Sequence, residues 1–264
     1  MVFSPQLLAS FCVALVISAI GFKSYVWFFS IGYGFAIAGE GLLMLLMFRG
    51  NAVTTLICLT FIAYGCRLGG FLAHREMKRP TYMQHVGGDI KDSRRVPIYV
   101  KVCIWLACAI LYTLMVSPVF YRLYNGAGGG FWPWLGLIVM LCGVVMEAAS
   151  DAQKSARKRV EPHRFVDTGL FRLVRCPNYL GELILWTGVL VSGIGGLRGA
   201  QWIMAILGYI GIVYVMFSGA RRLELRQQRT YGDDPAYQSY VRTVPILLPF
   251  VPLYSVAKHK WLSA

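Results

Sequence analysis

The chain has 264 residues, of which 57% are hydrophobic and 14% charged, and its formal net charge at pH 7 is +14. It contains seven apolar runs of roughly 20 residues, the length that crosses a bilayer as a helix, and this excludes a soluble globular domain. Isolated strands cannot cross lipid with unpaired backbone groups, so the runs predict an all-α, polytopic membrane protein with residues 1–264 as a single domain.

Cysteine and histidine spacing argues against a metal centre. The seven cysteines form no C-x-x-C pair and mostly lie within the apolar runs, where they are interpreted as small packing residues. The four histidines stand far apart, which excludes the clustered-histidine iron sites of membrane hydroxylases and desaturases. The glycine-rich stretch 126–130 does not fit a dinucleotide fingerprint, so no soluble nucleotide-binding domain is predicted.

The distribution of positive charge predicts the orientation of the helices. The predicted spans are Gln6–Phe22, Tyr25–Phe48, Ala52–Ala73, Pro97–Tyr121, Phe131–Ser150, Tyr179–Leu197 and Gln201–Gly219. With the N-terminus outside, the external loops contain only Arg49, Arg122 and Arg198 among the Lys and Arg residues. Cytoplasmic loops carry the excess of Lys and Arg, so we expect an external N-terminus and a cytoplasmic C-terminus. The basic charge is therefore interpreted as topology, and not as a nucleic-acid surface.

The first three spans contain one carboxylate, one tyrosine and one arginine of interest. The first helix has no ionisable residue and is expected only to pack. Glu40 lies in the glycine-rich second helix, and a mid-membrane carboxylate indicates either function or a structural hydrogen bond. In the third helix Tyr64, Arg67 and Phe71 share one face. Counting residues from the helix ends places Tyr64 and Glu40 at similar depth, so their side chains could meet.

Polar residues gather at the inner ends of the later spans. Glu147 and Asp151 are four residues apart on the fifth helix, where two like charges favour a cation or a donor-rich ligand. The following loop contains Arg164, which is either a solvated charge or a phosphate ligand. The segment from Arg75 to Arg95 is expected to be a cytoplasmic connection.

A new helix is predicted to begin at Pro177, because proline is tolerated in the first turn of a helix and disfavours a helical residue before it. Asn178 and Glu182 then lie one turn apart on one face. A carboxylate at the membrane boundary needs a partner, and Arg172 and Arg175 precede it within a turn or two.

The last span leaves the membrane at Arg221 and Glu224. The tail Pro245–Tyr254 is apolar but contains three prolines, so it cannot be another straight span. We expect it to lie against the cytoplasmic face as a lid.

Four blocks of the sequence resemble the steroid 5α-reductase superfamily, most strongly over Tyr64–Phe250. The most specific block is Gly-Leu-Phe-x-x-Val-x-Cys-Pro-Asn-Tyr-Leu-Gly-Glu at 169–182. The others are Tyr64-x-x-Arg67 with Lys78, the polar positions Glu147, Asp151 and Arg164, and a closing segment with Arg221, Tyr240 and Leu-Leu-Pro-Phe at 247–250. Phe71 and Lys78 stand where the family often has Tyr and Arg, and Gly39 stands where it often has Gln.

The resemblance implies a seven-helix, NADPH-dependent ene-reductase that reduces a C=C bond conjugated to a carbonyl group in a steroid or another apolar lipid. It implies that Tyr64 and Glu40 contact the substrate carbonyl. The residues implied to bind NADPH, together in one pocket, are Arg67, Lys78, Glu147, Asp151, Arg164, Asn178, Glu182, Arg221 and Tyr240. The membrane would be the bacterial inner membrane or the endoplasmic reticulum, with the cofactor on the cytoplasmic side.

Two other functions stay open from the sequence. The first is an S-adenosylmethionine-dependent methyltransferase of the isoprenylcysteine type, although Arg175-Cys176-Pro177-Asn178 and a lone Glu224 favour the reductase. The second is a non-catalytic lipid-binding membrane protein, which would have no affinity for a cofactor.

Overall fold

The computed structural model describes residues 2–78 and 96–262, except for the side chains of residues 77 and 78. These described residues form eight α-helices and no strand. In chain order the helices are α1 (Pro5–Ser18), α2 (Ile31–Met47), α3 (Ala52–Lys78), α4 (Ile98–Tyr124), α5 (Phe131–Val160), α6 (Pro177–Ser192), α7 (Gln201–Tyr231) and α8 (Pro235–Thr243). Short 3-10 helices occur at Ala19–Phe22, Tyr25–Phe28 and Gly169–Arg172. The predicted connection between Arg75 and Arg95 lies mostly outside the described residues.

Six segments of the described chain are long and apolar enough to cross a membrane, which makes this a multi-pass membrane protein. They are Pro5–Phe22, Tyr25–Met47, Ala52–Glu76, Ile98–Tyr124, Phe131–Val160 and Gln201–Tyr231. The segment predicted as the sixth span forms α6, which begins at Pro177 as predicted but has only 16 residues. Such a helix is about 24 Å long, against about 30 Å for the hydrocarbon core. The seventh crossing and the orientation of the termini therefore remain predictions.

The chain divides into two compact units. Unit 1 comprises Met1–Leu137 and Val189–Tyr209, and unit 2 comprises Ile138–Gly188 and Ile210–Ala264.

In unit 1 the helices α2 and α3 cross at glycines with their backbones in contact. A Cβ atom on Gly34 would lie 2.6 Å from the backbone nitrogen of Gly69, and one on Gly65 would lie 2.3 Å from the carbonyl oxygen of Gly34. Small residues at such crossings allow close helix approach, which is the main source of packing energy between helices in lipid. Near this crossing, Tyr33 of α2 contacts Tyr64 of α3, and Glu40 of α2 contacts Ser10 of α1.

Arg122 connects three chain segments at one end of unit 1. Its guanidinium group donates hydrogen bonds to the carbonyl oxygens of Ser192 (3.0 Å), Ile194 (3.0 Å) and Gly128 (2.8 Å), and the side chain is only 4% exposed. The neighbouring Tyr121 hydroxyl donates to the carbonyl oxygen of Val2 at 2.8 Å. The N-terminal segment and the loops after α4 and α6 therefore lie at the same end of the unit, as seven crossings would require.

In unit 2 the antiparallel helices α5 and α6 cross at Gly143 and Gly181. A Cβ atom on Gly143 would lie 2.4 Å from the backbone nitrogen of Leu185, and one on Gly181 would lie 2.8 Å from that of Glu147. On the next helix, Gly219 of α7 lies under the ring of Tyr179. These contacts hold the start of α6 close to Glu147 of α5 and Gly219 of α7.

Candidate functional site

Glu40 is a fully buried carboxyl group in the core of unit 1. Its Oε1 accepts a hydrogen bond from the Ser10 hydroxyl of α1 at 3.0 Å. The side chain of Thr113 on α4 is within hydrogen-bonding reach of the same carboxyl group, while its own hydroxyl donates to the carbonyl oxygen of Ala109 at 3.0 Å. Thr113 can therefore accept a hydrogen bond from a protonated Glu40, and Ser10 can donate to either form.

The interaction with Ser10 corrects the expectation that the first helix only packs. That expectation considered only ionisable residues, which α1 lacks, and did not consider its hydroxyl groups. A serine or threonine facing a membrane carboxylate was the signal that could have found it, because buried polar side chains in helical bundles pair across helices.

Tyr64 is also fully buried, and its hydroxyl lies 3.0 Å from the hydroxyl of Tyr33 on α2. Either oxygen can be the donor, so one of the two hydroxyl hydrogens is not used in that bond. The ring of Tyr112 lies 5.3 Å from that of Tyr33, and its hydroxyl donates to the carbonyl oxygen of Phe28 at 2.6 Å. The sequence prediction did not include Tyr33, although it lies seven residues before Glu40, on the same face of α2.

Unit 1 thus contains both predicted substrate contacts. The hydrogen bonds of Glu40 and Tyr64 described above go to Ser10 and Tyr33, and direct contact between the two side chains remains a prediction. Arg67 lies one turn after Tyr64 and is half-buried. Lys78 is the last residue of α3, and its side chain lies outside the described part of the chain.

Unit 2 contains a buried ion pair. The guanidinium Nη2 of Arg175 lies 2.9 Å from Oε1 of Glu224, and the two side chains are 1% and 5% exposed. The same Nη2 also donates to the carbonyl oxygen of Tyr254. Arg175 was expected to be a partner of Glu182. Its ion-pair partner is instead Glu224 of α7, 49 residues further along the chain.

The C-terminal tail is bound to the segment that precedes α6. The backbone nitrogens of Arg175 and Cys176 donate to the carbonyl oxygens of Pro245 (2.9 Å) and Ile246 (3.0 Å). Oε2 of Glu224 accepts from the backbone nitrogen of Val256 at 2.9 Å. Burial raises the pKa of the Cys176 thiol to about 12, so this cysteine is a neutral packing group. The tail thereby fixes the backbone immediately before Pro177.

The polar residues of α5 and α6 meet where these helices cross. Glu147 and Glu182 are both buried, and the indole nitrogen of Trp186 donates to Oε2 of Glu182 at 3.0 Å. Asn178 and Asp151 are half-buried nearer the loop ends of their helices.

The other predicted cofactor residues in unit 2 lie closer to its surface. Arg164 is half-exposed and forms ion pairs with Asp167 (3.2 Å) and Glu161 (3.7 Å). The Tyr240 hydroxyl donates to the carbonyl oxygen of Phe171 at 2.7 Å, and burial raises its pKa. Nε of Arg221 donates to the carbonyl oxygen of Ala257 at 3.1 Å.

The chemistry of this donor set fits a phosphorylated dinucleotide. Arginine can bind phosphate through parallel hydrogen bonds, and carboxylates such as Glu147 and Asp151 can accept hydrogen bonds from ribose hydroxyls. The amide of Asn178 can both donate and accept. In residues 2–78 and 96–262 no group of three or more His, Cys, Asp or Glu residues is arranged to hold a metal ion.

The chain matches one family model and is distantly similar to several known proteins. A family model described as "Protein of unknown function (DUF1295)" matches residues 6–244. The chain is 27% identical over 160 residues to an uncharacterised protein of Schizosaccharomyces pombe, a match that covers 52% of this chain and 45% of the relative.

Two further relatives have names that state an activity. The chain is 28% identical over 118 residues to 3-oxo-5-alpha-steroid 4-dehydrogenase 1 of Rattus norvegicus, covering 44% of this chain and 40% of the relative. It is 25% identical over 130 residues to steroid 5-alpha-reductase DET2 of Arabidopsis thaliana, covering 47% and 44%. The chain thus spans less than half the length of each of these three relatives, and no solved structure matches it.

Proposed function

The chain belongs to the DUF1295 family, and from that premise we propose that it is an NADPH-dependent membrane reductase. The proposed reaction reduces a C=C bond conjugated to a carbonyl group in a steroid or a related apolar lipid. The resemblance to the steroid 5α-reductase superfamily is confirmed by the rat and Arabidopsis relatives. Their distant similarity supports a membrane reductase, and the cofactor and substrate class are our proposal.

The observation that carries the proposal is the pair of buried polar groups in unit 1, the Tyr64 hydroxyl and the Glu40 carboxyl group. Both are fully buried in the helical core of unit 1. Donors are most effective on developing negative charge in such dry surroundings, because water does not compete and no reorganisation is needed. This is the chemistry that the reduction of a conjugated C=C bond requires at the carbonyl oxygen.

NADPH, when bound, supplies the hydride that adds to the β-carbon of the conjugated system. Negative charge then develops on the carbonyl oxygen, where Tyr64 and a protonated Glu40 each donate a hydrogen bond. Ser10 and Tyr33 orient these two groups through the hydrogen bonds at 3.0 Å. The proton that completes the reaction at the α-carbon comes from water or from Tyr64, so the substrate gains one hydride and one proton in total.

The proposed cofactor residues in unit 2 act through charge and hydrogen bonding. Arg164 and Arg221 would bind phosphate groups, and Glu147, Asp151, Asn178 and Glu182 would bind ribose and amide groups. The Tyr240 hydroxyl donates to the carbonyl oxygen of Phe171 and so fixes the 3-10 helix Gly169–Arg172. Tyr240 would therefore support the cofactor site by holding this backbone in place. Arg67 and Lys78, on α3, are the remaining residues that the family resemblance implies for the cofactor.

The test begins with ligand binding. Purified protein in detergent is heated with NADPH, NADH or S-adenosylmethionine, and its unfolding temperature is recorded. We expect NADPH to stabilise it, by about 2.7 kcal/mol at a hundredfold excess over the dissociation constant. Stabilisation by S-adenosylmethionine alone would indicate a methyltransferase, and no stabilisation by any of the three would indicate a non-catalytic protein.

The substrate class is tested with the same preparation. Oxidation of NADPH is followed by absorbance with a 3-oxo-Δ4 steroid, and the product is identified by mass spectrometry. A matched steroid that already lacks the Δ4 double bond is the control. The reductase assignment predicts a gain of two hydrogen masses with the first compound and no reaction with the second.

A further inference from the structure

The last described segment of the chain, residues 257–262, is here called the tail strap, and it lies along α7. Its first residue, Ala257, accepts a hydrogen bond from Nε of Arg221 at 3.1 Å. Near its other end, the carbonyl oxygen of Trp261 accepts from the Tyr214 hydroxyl at 3.0 Å. The rings of Trp261 and Tyr214 are stacked, with centroids 6.2 Å apart and an interplanar angle of 28°.

The position of Tyr214 gives the depth of the strap. Arg221 is the first charged residue of α7 in chain order, and Tyr214 precedes it by seven residues. Seven residues of α-helix span about 10.5 Å. The strap therefore runs from the charged end of α7 into its uncharged, membrane-spanning part.

The strap covers the lipid-facing side of α7. Large apolar side chains of this helix are exposed along one stripe, which consists of Ile203, Ile206, Leu207 and Ile210. Helical periodicity places Tyr214 next on that stripe, four residues after Ile210. Trp261 covers the stripe at this point and is itself 67% exposed, whereas its neighbour Leu262 is buried.

Positive charge lies directly beside this exposed indole. Lys258 and Lys260 are both exposed, and tight turns keep them close together, with the backbone nitrogen of Lys260 bonded to the carbonyl oxygen of Lys258 at 3.0 Å. Neither lysine forms an ion pair with an acidic residue in the parts of the chain that the structure describes.

We propose that the tail strap is a binding site for an anionic phospholipid. Lys258 and Lys260 bind the headgroup phosphate, and Trp261 contacts the upper part of the acyl chains. Tryptophan favours the level of the headgroups, and lysine stems can extend along apolar surface to place the ammonium group there. The occupant is a lipid because Trp261 lies on the membrane face of α7, and it is anionic because the exposed charges are two lysines. The site does not depend on the reductase activity.

The test uses lipids with brominated acyl chains, which quench tryptophan fluorescence on contact. Detergent-purified protein is titrated with brominated phosphatidylglycerol and, separately, with brominated phosphatidylcholine. We expect Trp261→Phe to lose part of the quenching amplitude seen in the unsubstituted protein. An unchanged amplitude would contradict the placement of Trp261 in lipid.

The charge requirement is tested with a double substitution, Lys258→Gln with Lys260→Gln. Each lysine near an anionic surface contributes about fivefold in affinity, so we expect roughly 30-fold weaker binding of phosphatidylglycerol for the pair and little change for phosphatidylcholine. The matched control, Arg159→Gln with Arg242→Gln, removes two exposed charges elsewhere and should keep the affinity. Equal losses in both double variants would overturn the site.

Discussion

The proposed roles of Glu40 and Tyr64 depend on the burial and the hydrogen-bond partner of each side chain. Each is fully buried, and each has a hydroxyl partner within 3.0 Å, Ser10 for the first and Tyr33 for the second. The sequence identified both as candidates because a polar group inside a membrane span is costly without a role. Their partners were not predicted, since the choice among the hydroxyl groups of neighbouring helices depends on the relative rotation of α1, α2 and α3.

The role proposed for Tyr64 predicts a selective loss. Tyr64→Phe removes the hydroxyl and keeps the ring, so we expect NADPH binding to persist while turnover falls about a hundredfold, the usual effect of losing one oxyanion donor. Turnover and NADPH affinity are measured on the same preparation. Tyr99→Phe, at an exposed tyrosine of α4, is the matched control and should keep full turnover. Unchanged turnover in Tyr64→Phe would exclude the assigned role.

The ion pair of Arg175 and Glu224 predicts a non-additive effect on stability. Arg175→Met leaves a buried carboxylate without its cation, and we expect a loss of about 3–5 kcal/mol in the free energy of unfolding. The double variant Arg175→Met with Glu224→Met should lose less than the sum of the single changes, because neither charge is left alone.

The measurement for this pair is thermal or denaturant unfolding in detergent. Arg157→Gln removes one partner of a more exposed ion pair, with Glu161, and should cost about 1 kcal/mol or less. If Arg175→Met and Arg157→Gln lowered the free energy of unfolding equally, burial of the Arg175 pair would have no energetic consequence.

Among the elements, the helices are the part that the sequence predicted best. The apolar runs predicted the first residue of α3 and both ends of α4 to within three residues, and Pro177 marked the start of α6. The second run began at Tyr25, whereas α2 begins at Ile31 after a short 3-10 helix. The tail was expected only to lie as a lid. Its attachment through Arg175, Glu224 and Val256 depends on contacts between distant parts of the chain, which periodicity cannot show.

The glycine crossing of α5 and α6 predicts which small residues cannot be enlarged. Gly143→Ala would place a Cβ atom 2.4 Å from the backbone nitrogen of Leu185, so the helices must separate. We expect a loss of roughly 1–3 kcal/mol in stability, as for other overpacked sites, measured by unfolding temperature. Gly70→Ala on α3 meets no atom within 4 Å and is the matched control. It should be neutral or slightly stabilising, because alanine favours helix.

For the whole molecule, the sequence predicts that α6 crosses the membrane. Seven crossings place the loop after α4 and the segment after α7 on opposite faces, whereas six place them on the same face. The concentration of Lys and Arg in alternate loops favours seven and makes the segment after α7 cytoplasmic.

Reporter insertions distinguish these two topologies. Alkaline phosphatase, active only outside the cytoplasm, is inserted after Ala127 in one fusion and after Gly232 in another. We expect activity from the first and none from the second, with green fluorescent protein at the same positions giving the reverse pattern. Phosphatase activity at both positions would show that α6 does not cross.

Arg122 has a consequence for the biosynthesis of the chain. Two of its three carbonyl acceptors belong to Ser192 and Ile194, which are synthesised 70 and 72 residues later. While the nascent chain is still being made, the guanidinium group of α4 has only the Gly128 carbonyl available from this set. The hydrogen bonds by which Arg122 ties α4 to the loop after α6 can therefore form only after that loop has been synthesised.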